Sequence, residues 1–448
     1  MTLADPGLVA PLSSHPLLIF LLQVGLLLLL AVALGRLARR LGMPAIVGEL
    51  CSGLLVGPSV LQHLLPGFSG WLFPAEAAQA HLLDAVGQLG LLLLVGLTGM
   101  ELDIARVRRS GRAAVQISVA GFLIPLGLGI GAGYALSGEL KPHSADATAF
   151  ALFMGVAMSV SAVPVIAKTL FDMGLLRSKI GQLVLTAGVV DDLAGWIMLS
   201  VVSAMATTGL RTGGMALTIG SLVLVILFAV VLGRSVVGRV LKLAGRTGEP
   251  SASLAAVVAI LFFGSAATHA LGLEAVFGAF VCGILIRSCG VLDSASLAPL
   301  RTVVLSVLAP VFFATAGLRM DLTALAEPRL LLAALAVLLI AVVGKFAGAF
   351  IGAITGGLNR WEAVGIGAGM NARGVIEVIV AMVGLRLGVL SEDSYTIIVL
   401  VAIVTSVMAP PLLRLAVERA PCPADEAAPP PAPVDRSRRG QPTSSGSD

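Results

Sequence analysis

The sequence predicts an all-α polytopic membrane protein of about thirteen helices. Its composition, the recurrence of long apolar stretches and the sorting of its basic residues carry that prediction. Hydrophobic residues make up 57% of the 448-residue chain, charged residues only 12%, and the mean hydropathy is +1.01. A soluble fold of this size could not cover its surface with so few charges. Soluble enzymes, nucleic-acid binders and fibrous proteins are therefore excluded. The 52 glycines, against 5% aromatics, predict helices that approach one another closely. The net charge of +4 does not point to nucleic acid, because the basic residues fall in short loops between apolar stretches. Cys51, Cys282, Cys289 and Cys422 show no metal-ligand spacing, so neither a zinc site nor a disulfide framework is expected.

Crossing about 30 Å of hydrocarbon takes roughly 20 apolar residues in a helix. Such stretches recur at residues 16–38, 44–63, 81–101, 112–136, 147–173, 178–207, 213–241, 251–271, 274–290, 297–319, 329–356, 361–386 and 394–417, the second and ninth being short. The first follows an N-terminus, residues 1–15, that has no Lys or Arg, so a cleavable signal is not expected and the segment reads as extracytoplasmic. Residues 16–417 read as one transmembrane domain. Residues 418–448 are rich in Pro, Ser and charge and read as a disordered cytoplasmic tail.

With the N-terminus outside, 21 Lys and Arg fall on the inner side and 5 on the outer: Lys141, Arg211, Arg319, Arg329 and Arg386. The positive-inside rule then gives N-out and C-in. Lys168, Lys345 and Arg373 fall on neither side, inside predicted spans.

An ionisable side chain at membrane depth costs several kcal/mol unless paired or hydrated, which makes each one a candidate site. Span 6 carries Asp191 and Asp192 in VVDDLAGW, span 11 Lys345, span 12 Arg373 and Glu377, and span 2 Glu49. Adjacent helical residues point about 100° apart, so the two carboxylates cannot share one partner. One can hold a cargo ion while the other pairs with a fixed cation, for which Lys345 is the natural choice. A purely structural Asp–Lys pair would leave the second Asp unexplained. Arg373 and Glu377, four residues apart, share a helix face and read as a structural pair. Glu49 reads as lining an access path or making an interhelical hydrogen bond. Lys168 is expected to snorkel, and His269 and Glu274 to flank a turn without special role.

Two helices are expected to break in mid-membrane. Span 5 reads MSVSAVPVIAKTL, with Pro164 after Ser159 and Ser161, and proline removes a backbone donor. Span 12 contains GIGAGMNARG, where Asn371 and Arg373 can neutralise a freed helix C-terminus. Unwound backbone at this depth must line a cavity or be buried in protein. Spans 5 and 12 lie seven crossings apart and so run in opposite directions, the arrangement of an inverted-repeat transporter.

Taken in order, RLARRLGMPAIVGELCSGLLVGPSVL, GLLLLVGLTGMELD, SVSAVPVIAKTL, VVDDLAGW, PVFFATAGLRMDL, GKFAGAF and GMNARGVIEVIV make the chain resemble the monovalent cation:proton antiporters over nearly all of residues 16–418. The match is to the branch with an Asp–Asp pair, similar to sodium/proton antiporters and the plant cation/proton exchangers. The resemblance implies a homodimer in which a core domain moves against a dimerisation domain by elevator-type alternating access. It implies that Asp192 binds the monovalent cation and the proton, and that Asp191 pairs with Lys345, a charge associated with electrogenic exchange. Ser159, Ser161 and backbone near Val163 and Pro164 would supply neutral oxygens. The last thirty residues hold no GxGxxG, so nucleotide gating within the chain is not expected.

The resulting expectation is a secondary transporter that exchanges Na+, K+ or Li+ for protons across a bilayer, in a bacterial inner membrane, with no cofactor and no enzymatic activity. An intramembrane aspartyl protease needs carboxylates that meet across a gap and share a proton, which neighbours on a helix cannot do. A symporter would need a pocket for an organic substrate, and the few polar groups offer none. The alternative carried forward is a cation channel or an ion-binding sensor, although no filter-like repeat is visible.

Overall fold

The computed structural model describes residues 13–74, 76–102, 111–173, 175–176, 178–208, 212–246, 249–293 and 295–418. The expected tail from 419 onward, residues 1–12 and the arginines 106, 108, 109, 177 and 211 lie outside that description, as does the side chain of Lys168.

Every expected apolar stretch has a helix, in order. They are α1 (Ser14–Arg40), α2 (Ala45–Val56), α3 (Ala77–Glu101), α4 (Gly111–Ala135), α5a (Ala147–Ser159) with α5b (Val163–Asp172), and α6 (Lys179–Thr208). Next, α7 runs over Thr212–Phe228 and Arg234–Gly245 through a π turn at Ala229–Gly233, followed by α8 (Pro250–Ala270) and α9 (Ala275–Cys289). A second π turn, Val304–Leu308, interrupts α10 between Ala298–Val303 and Ala309–Leu318. The last are α11 (Pro328–Thr355), α12a (Arg360–Met370) with α12b (Val375–Arg386), and α13 (Glu392–Glu418).

Among the described residues, 11 helices are long and apolar enough to cross a membrane, or 12 when α12a and α12b, bent by 44°, are taken as one span. The remaining segment, α9, has 15 residues and falls short of the roughly 20 that a crossing needs. Leucines on α1, α7 and α11, together with Phe263 on α8, project outward unburied. Only a lipid solvent makes such a surface stable.

The helices pack as two sets. One holds α1–α3 with α8–α10, the other α4–α6 with α11–α13, and α7 lies against α6, α8 and α9. Contacts in the first half recur seven helices later: α1 on α2 as α8 on α9, α2 on α10 as α9 on α3, and α4 on α5a as α11 on α12a. An odd offset inverts the repeat in the membrane. The sequence carries its trace, which had gone unread: LGMPAIVGELCSGLL at 41–55 aligns with LGLEAVFGAFVCGIL at 271–285. Gly42 and Gly272 both take φ +76 where the chain turns between helices, a conformation that favours glycine. Gly53 packs on the backbone of Ala314 and Gly317, and its repeat equivalent Gly283 on that of Gly96 and Gly99, so that a Cβ at either would run into backbone.

Ion pairs tie together helix ends on the same face. Arg301 meets Glu101 at 2.9 Å and Arg319 meets Asp84 at 2.5 Å, one pair at each end of the antiparallel α3 and α10. Lys179–Glu362 (2.9 Å) and Arg386–Glu274 (2.8 Å) do the same elsewhere. Gly53→Val and Gly283→Val are each expected to lower stability by about 1–3 kcal/mol or more through overpacking. Gly127→Val, in open space, is expected to change little. Thermal unfolding of the purified variants checks this, and a Gly127→Val loss equal to the other two would refute the packing argument.

Candidate functional site

The site is built where α5 and α12 break. Both helices lose their ladder in mid-course, and the breaks cross: the Ala162 N–H donates to the Ala372 carbonyl at 2.9 Å. Ser161 Oγ lies 2.9 Å from the Met370 carbonyl, and Ser406 Oγ on α13 donates to the Arg373 carbonyl. Pro164 occupies the first turn of α5b, where its missing N–H has no intrahelical partner to lose. It therefore starts a helix rather than kinking one.

A helix C-terminus leaves carbonyls unpartnered and carries about half a negative charge. At the end of α5a two cations supply the missing donors. Arg373 donates to the carbonyls of Ala157 (2.9 Å), Met158 (2.6 Å) and, on α11, Ala341 (2.9 Å). Lys345 Nζ donates to the Ser159 carbonyl. Asn371 caps α12a, its Nδ2 donating to the Val342 carbonyl at 3.1 Å, while its Oδ1 has no partner.

Asp191 and Asp192 stand on α6 against this crossing, both fully buried. Asp191 Oδ2 accepts from Lys345 Nζ and lies 3.1 Å from Ser161 Oγ. The single Ser161 proton serves either Asp191 or Met370 at any moment. Asp192, turned about 100° further round the helix, is different: neither of its oxygens has a hydrogen-bond partner. Arg373 lies 3.4 Å from Glu377, whose second oxygen is also unpartnered.

These five buried side chains give a charge count that matters. Asp191, Asp192 and Glu377 contribute three formal negative charges, Lys345 and Arg373 two positive ones, and each is at most 1% exposed. Counted as fully ionised, the cluster is one positive charge short of neutrality, and of its three carboxylates Asp192 alone has neither an ion pair nor a hydrogen bond. Among the described residues no three His, Cys, Asp or Glu side chains gather to hold a metal ion. A lone carboxylate oxygen ligand suits a hard monovalent cation or a proton.

The structure thus gathers Asp191, Asp192, Ser161, Lys345, Arg373, Glu377 and Asn371 at one crossing. No hydrogen bond links Ser159 or Ser161 to Asp192: the Ser159 hydroxyl turns back onto the Val156 carbonyl at 2.9 Å, and Ser161 faces Asp191. Pro164 is exposed at the edge of the break. Glu49 lines a separate cavity of about 330 Å³ with Arg36, Arg39 and Ser306. Glu274 does more than flank a turn, since its pair with Arg386 joins α9 to α12b. Sequence reasoning also passed over Trp196 and Ser200, whose recurrence every four residues after Asp192 was the available signal.

The family description "Sodium/hydrogen exchanger, transmembrane" matches residues 25–419. The Na(+)/H(+) antiporter NhaS4 of Synechocystis is 32% identical over 402 residues, covering 89% of this chain and 97% of its own. Cation/H(+) antiporter 17 of Arabidopsis thaliana is 31% identical over 89% of this chain, and the chain spans 48% of that plant protein's length. Among solved structures, that of the sodium proton antiporter MjNhaP1 of Methanocaldococcus jannaschii superposes over 90% of this chain and 99% of its own, with a TM-score of 0.61 at 18% identity. That last likeness speaks for the fold; the extent of the family match decides the rest. This multi-pass membrane protein belongs to the sodium/hydrogen exchanger family.

Proposed function

We propose that the protein exchanges a monovalent cation, Na+ or K+, for protons, with Asp192 as the carboxylate that holds one or the other. The observation that carries this reading is the buried Asp192 carboxylate, which has no hydrogen-bond partner on either oxygen, beside an Asp191 that is ion-paired with Lys345. A proton and a monovalent cation each neutralise that charge, so binding one excludes the other. If only the neutralised site crosses cheaply, exchange is obligatory.

The proposal extends to thirteen crossings with the N-terminus outside and the C-terminus in the cytoplasm of a bacterium. The set containing Asp192 would slide as an elevator against α1–α3 and α8–α10, in a homodimer. Lys345 would make the exchange electrogenic by supplying a further titratable group beside the carboxylates. Ser161 and carbonyls at the breaks would complete the ion's oxygen shell once the site rearranges around it. The names of the relatives, which pair sodium or other cations with protons, support the substrate class.

The test is the collapse of an imposed pH gradient in proteoliposomes on adding sodium, lithium or potassium. One of these is expected to dissipate the gradient, and silence with all three between about pH 6 and 9 would refute the reading. Competition adds a pH signature. Where the proton dominates the site, half-maximal exchange should need about tenfold more cation for each pH unit lowered, because each unit cuts the unprotonated fraction of the carboxylate about tenfold. The maximal rate at saturating cation should change little. A half-saturation value independent of pH would mean that the two ions do not share a carboxylate.

A further inference from the structure

The crossing does not use the polar side chains that continue from Asp192 toward the C-terminal end of α6. Trp196, Ser200 and Ser203 follow it at steps of four, four and three, which keeps them on one face of the helix. At 1.5 Å per residue the series runs about 16 Å. Their exposures are 1%, 0% and 3%, yet Trp196 Nε1, Ser200 Oγ and Ser203 Oγ have no hydrogen-bond partner.

Most buried hydroxyls elsewhere in these helices are partnered, Ser265 on α8 being another exception among the described residues. Thr98, Ser118, Thr315 and Thr405 each donate to the carbonyl four residues back, and Thr207, at the end of α6 itself, also returns to its own backbone. Ser200 and Ser203 do not. Buried polar groups are almost always satisfied, and an orphan points to water or an ion. Three in succession, beginning one turn from a carboxylate with two orphan oxygens, mark a face suited to being wet. The face lies at the boundary between the two helix sets: the Trp196 ring meets Phe280 of α9 with centroids 5.7 Å apart and planes tilted by 42°.

We propose that the Trp196–Ser200–Ser203 face of α6 walls a water-filled route by which a hydrated monovalent cation and protons reach Asp192. The route opens on the membrane face where α6 ends at Thr208, and the Trp196–Phe280 contact is its closed gate. The hydroxyls and the indole N–H are buried here because the two sets are closed on this side. When the sets part, water and the ion's hydration shell become their partners. The inference rests on the antiport reading but is measured without it.

The experiment places single cysteines at Ser200→Cys and Ser203→Cys in a chain whose four native cysteines are replaced. The control is Val202→Cys, equally buried at 1% exposure but on a different face. A cationic, membrane-impermeant thiosulfonate is applied to one side of oriented vesicles during turnover. Both serine positions are expected to react from the Thr208 side only, about tenfold or more faster than Val202→Cys, since thiol modification follows access. Phe280→Leu is expected to speed modification at Ser200→Cys. Reaction of both positions only at the Val202→Cys rate, or from the opposite side, overturns the proposal. Exchange with an unlabelled face refutes this route alone, whereas a labelled face without cation-driven exchange refutes the antiport reading alone.

Discussion

Asp192→Asn is expected to abolish cation-driven proton exchange while leaving the protein folded and at least as stable as the wild type. Asparagine keeps the shape of the side chain but fixes it in the neutral form, so neither a proton nor a cation is bound to neutralise it. The structural cost is small because Asp192 makes no hydrogen bond that would be lost. A buried ionised carboxylate without a partner is itself costly, so thermal stability should hold or rise. Asp191→Asn is expected to behave in the opposite sense. It removes the counter-charge of a fully buried lysine, and breaking a buried pair from one side costs about 3–5 kcal/mol. The two neighbours are thus separable: one variant loses transport and keeps stability, the other loses stability first. The measurement is the pH-gradient collapse beside thermal unfolding of the same preparation. Exchange by Asp192→Asn at the wild-type rate would remove this residue from the mechanism.

Much of this layout was legible before any coordinates. Apolar stretches near 20 residues carry their own length standard, so all thirteen appear as helices, with ends shifted by only a few residues except at α2, which stops at Val56. The interruptions in α5 and α12 were visible because proline and clustered glycine act on the backbone locally. What escaped was everything that depends on how far a helix is rotated and how deep it sits. The sequence places Arg373 where it can neutralise a freed helix C-terminus but not which one; it serves that of α5a, with a further bond to α11. The sequence does not show which carboxylate Ser161 faces; the register of α5 against α6 turns it to Asp191. The π turn in α10 follows no motif in the sequence. Glu274 looked like a turn residue because its partner, Arg386, lies 112 positions away. The inverted repeat was a global feature that the residues did carry, in two fifteen-residue segments whose shared glycines sit at helix contacts or at the turn before them.

Lys345→Ala is expected to be among the most destabilising single substitutions in the chain. It removes the counter-charge of Asp191 and the donor to the Ser159 carbonyl together, at the C-terminal end of α5a where donors are already scarce. One partner lost from a buried pair costs about 3–5 kcal/mol, and thermal unfolding should read a loss of that order. Replacing both partners is a different matter. A buried ion pair exchanged for neutral side chains of similar volume is often close to neutral in stability, so Asp191→Asn combined with Lys345→Gln should recover most of what either change loses alone. The double variant then separates two roles of the pair. If it only fastens α6 to α11, the refolded double variant exchanges ions with wild-type charge stoichiometry. If Lys345 enters the charge balance of the cycle, the double variant still moves cations against protons at Asp192, but its rate no longer responds to an imposed membrane potential. Wild-type voltage dependence in the double variant would reduce Lys345 to a fastening and assign the extra charge moved in each cycle to a group other than Lys345 and Asp192.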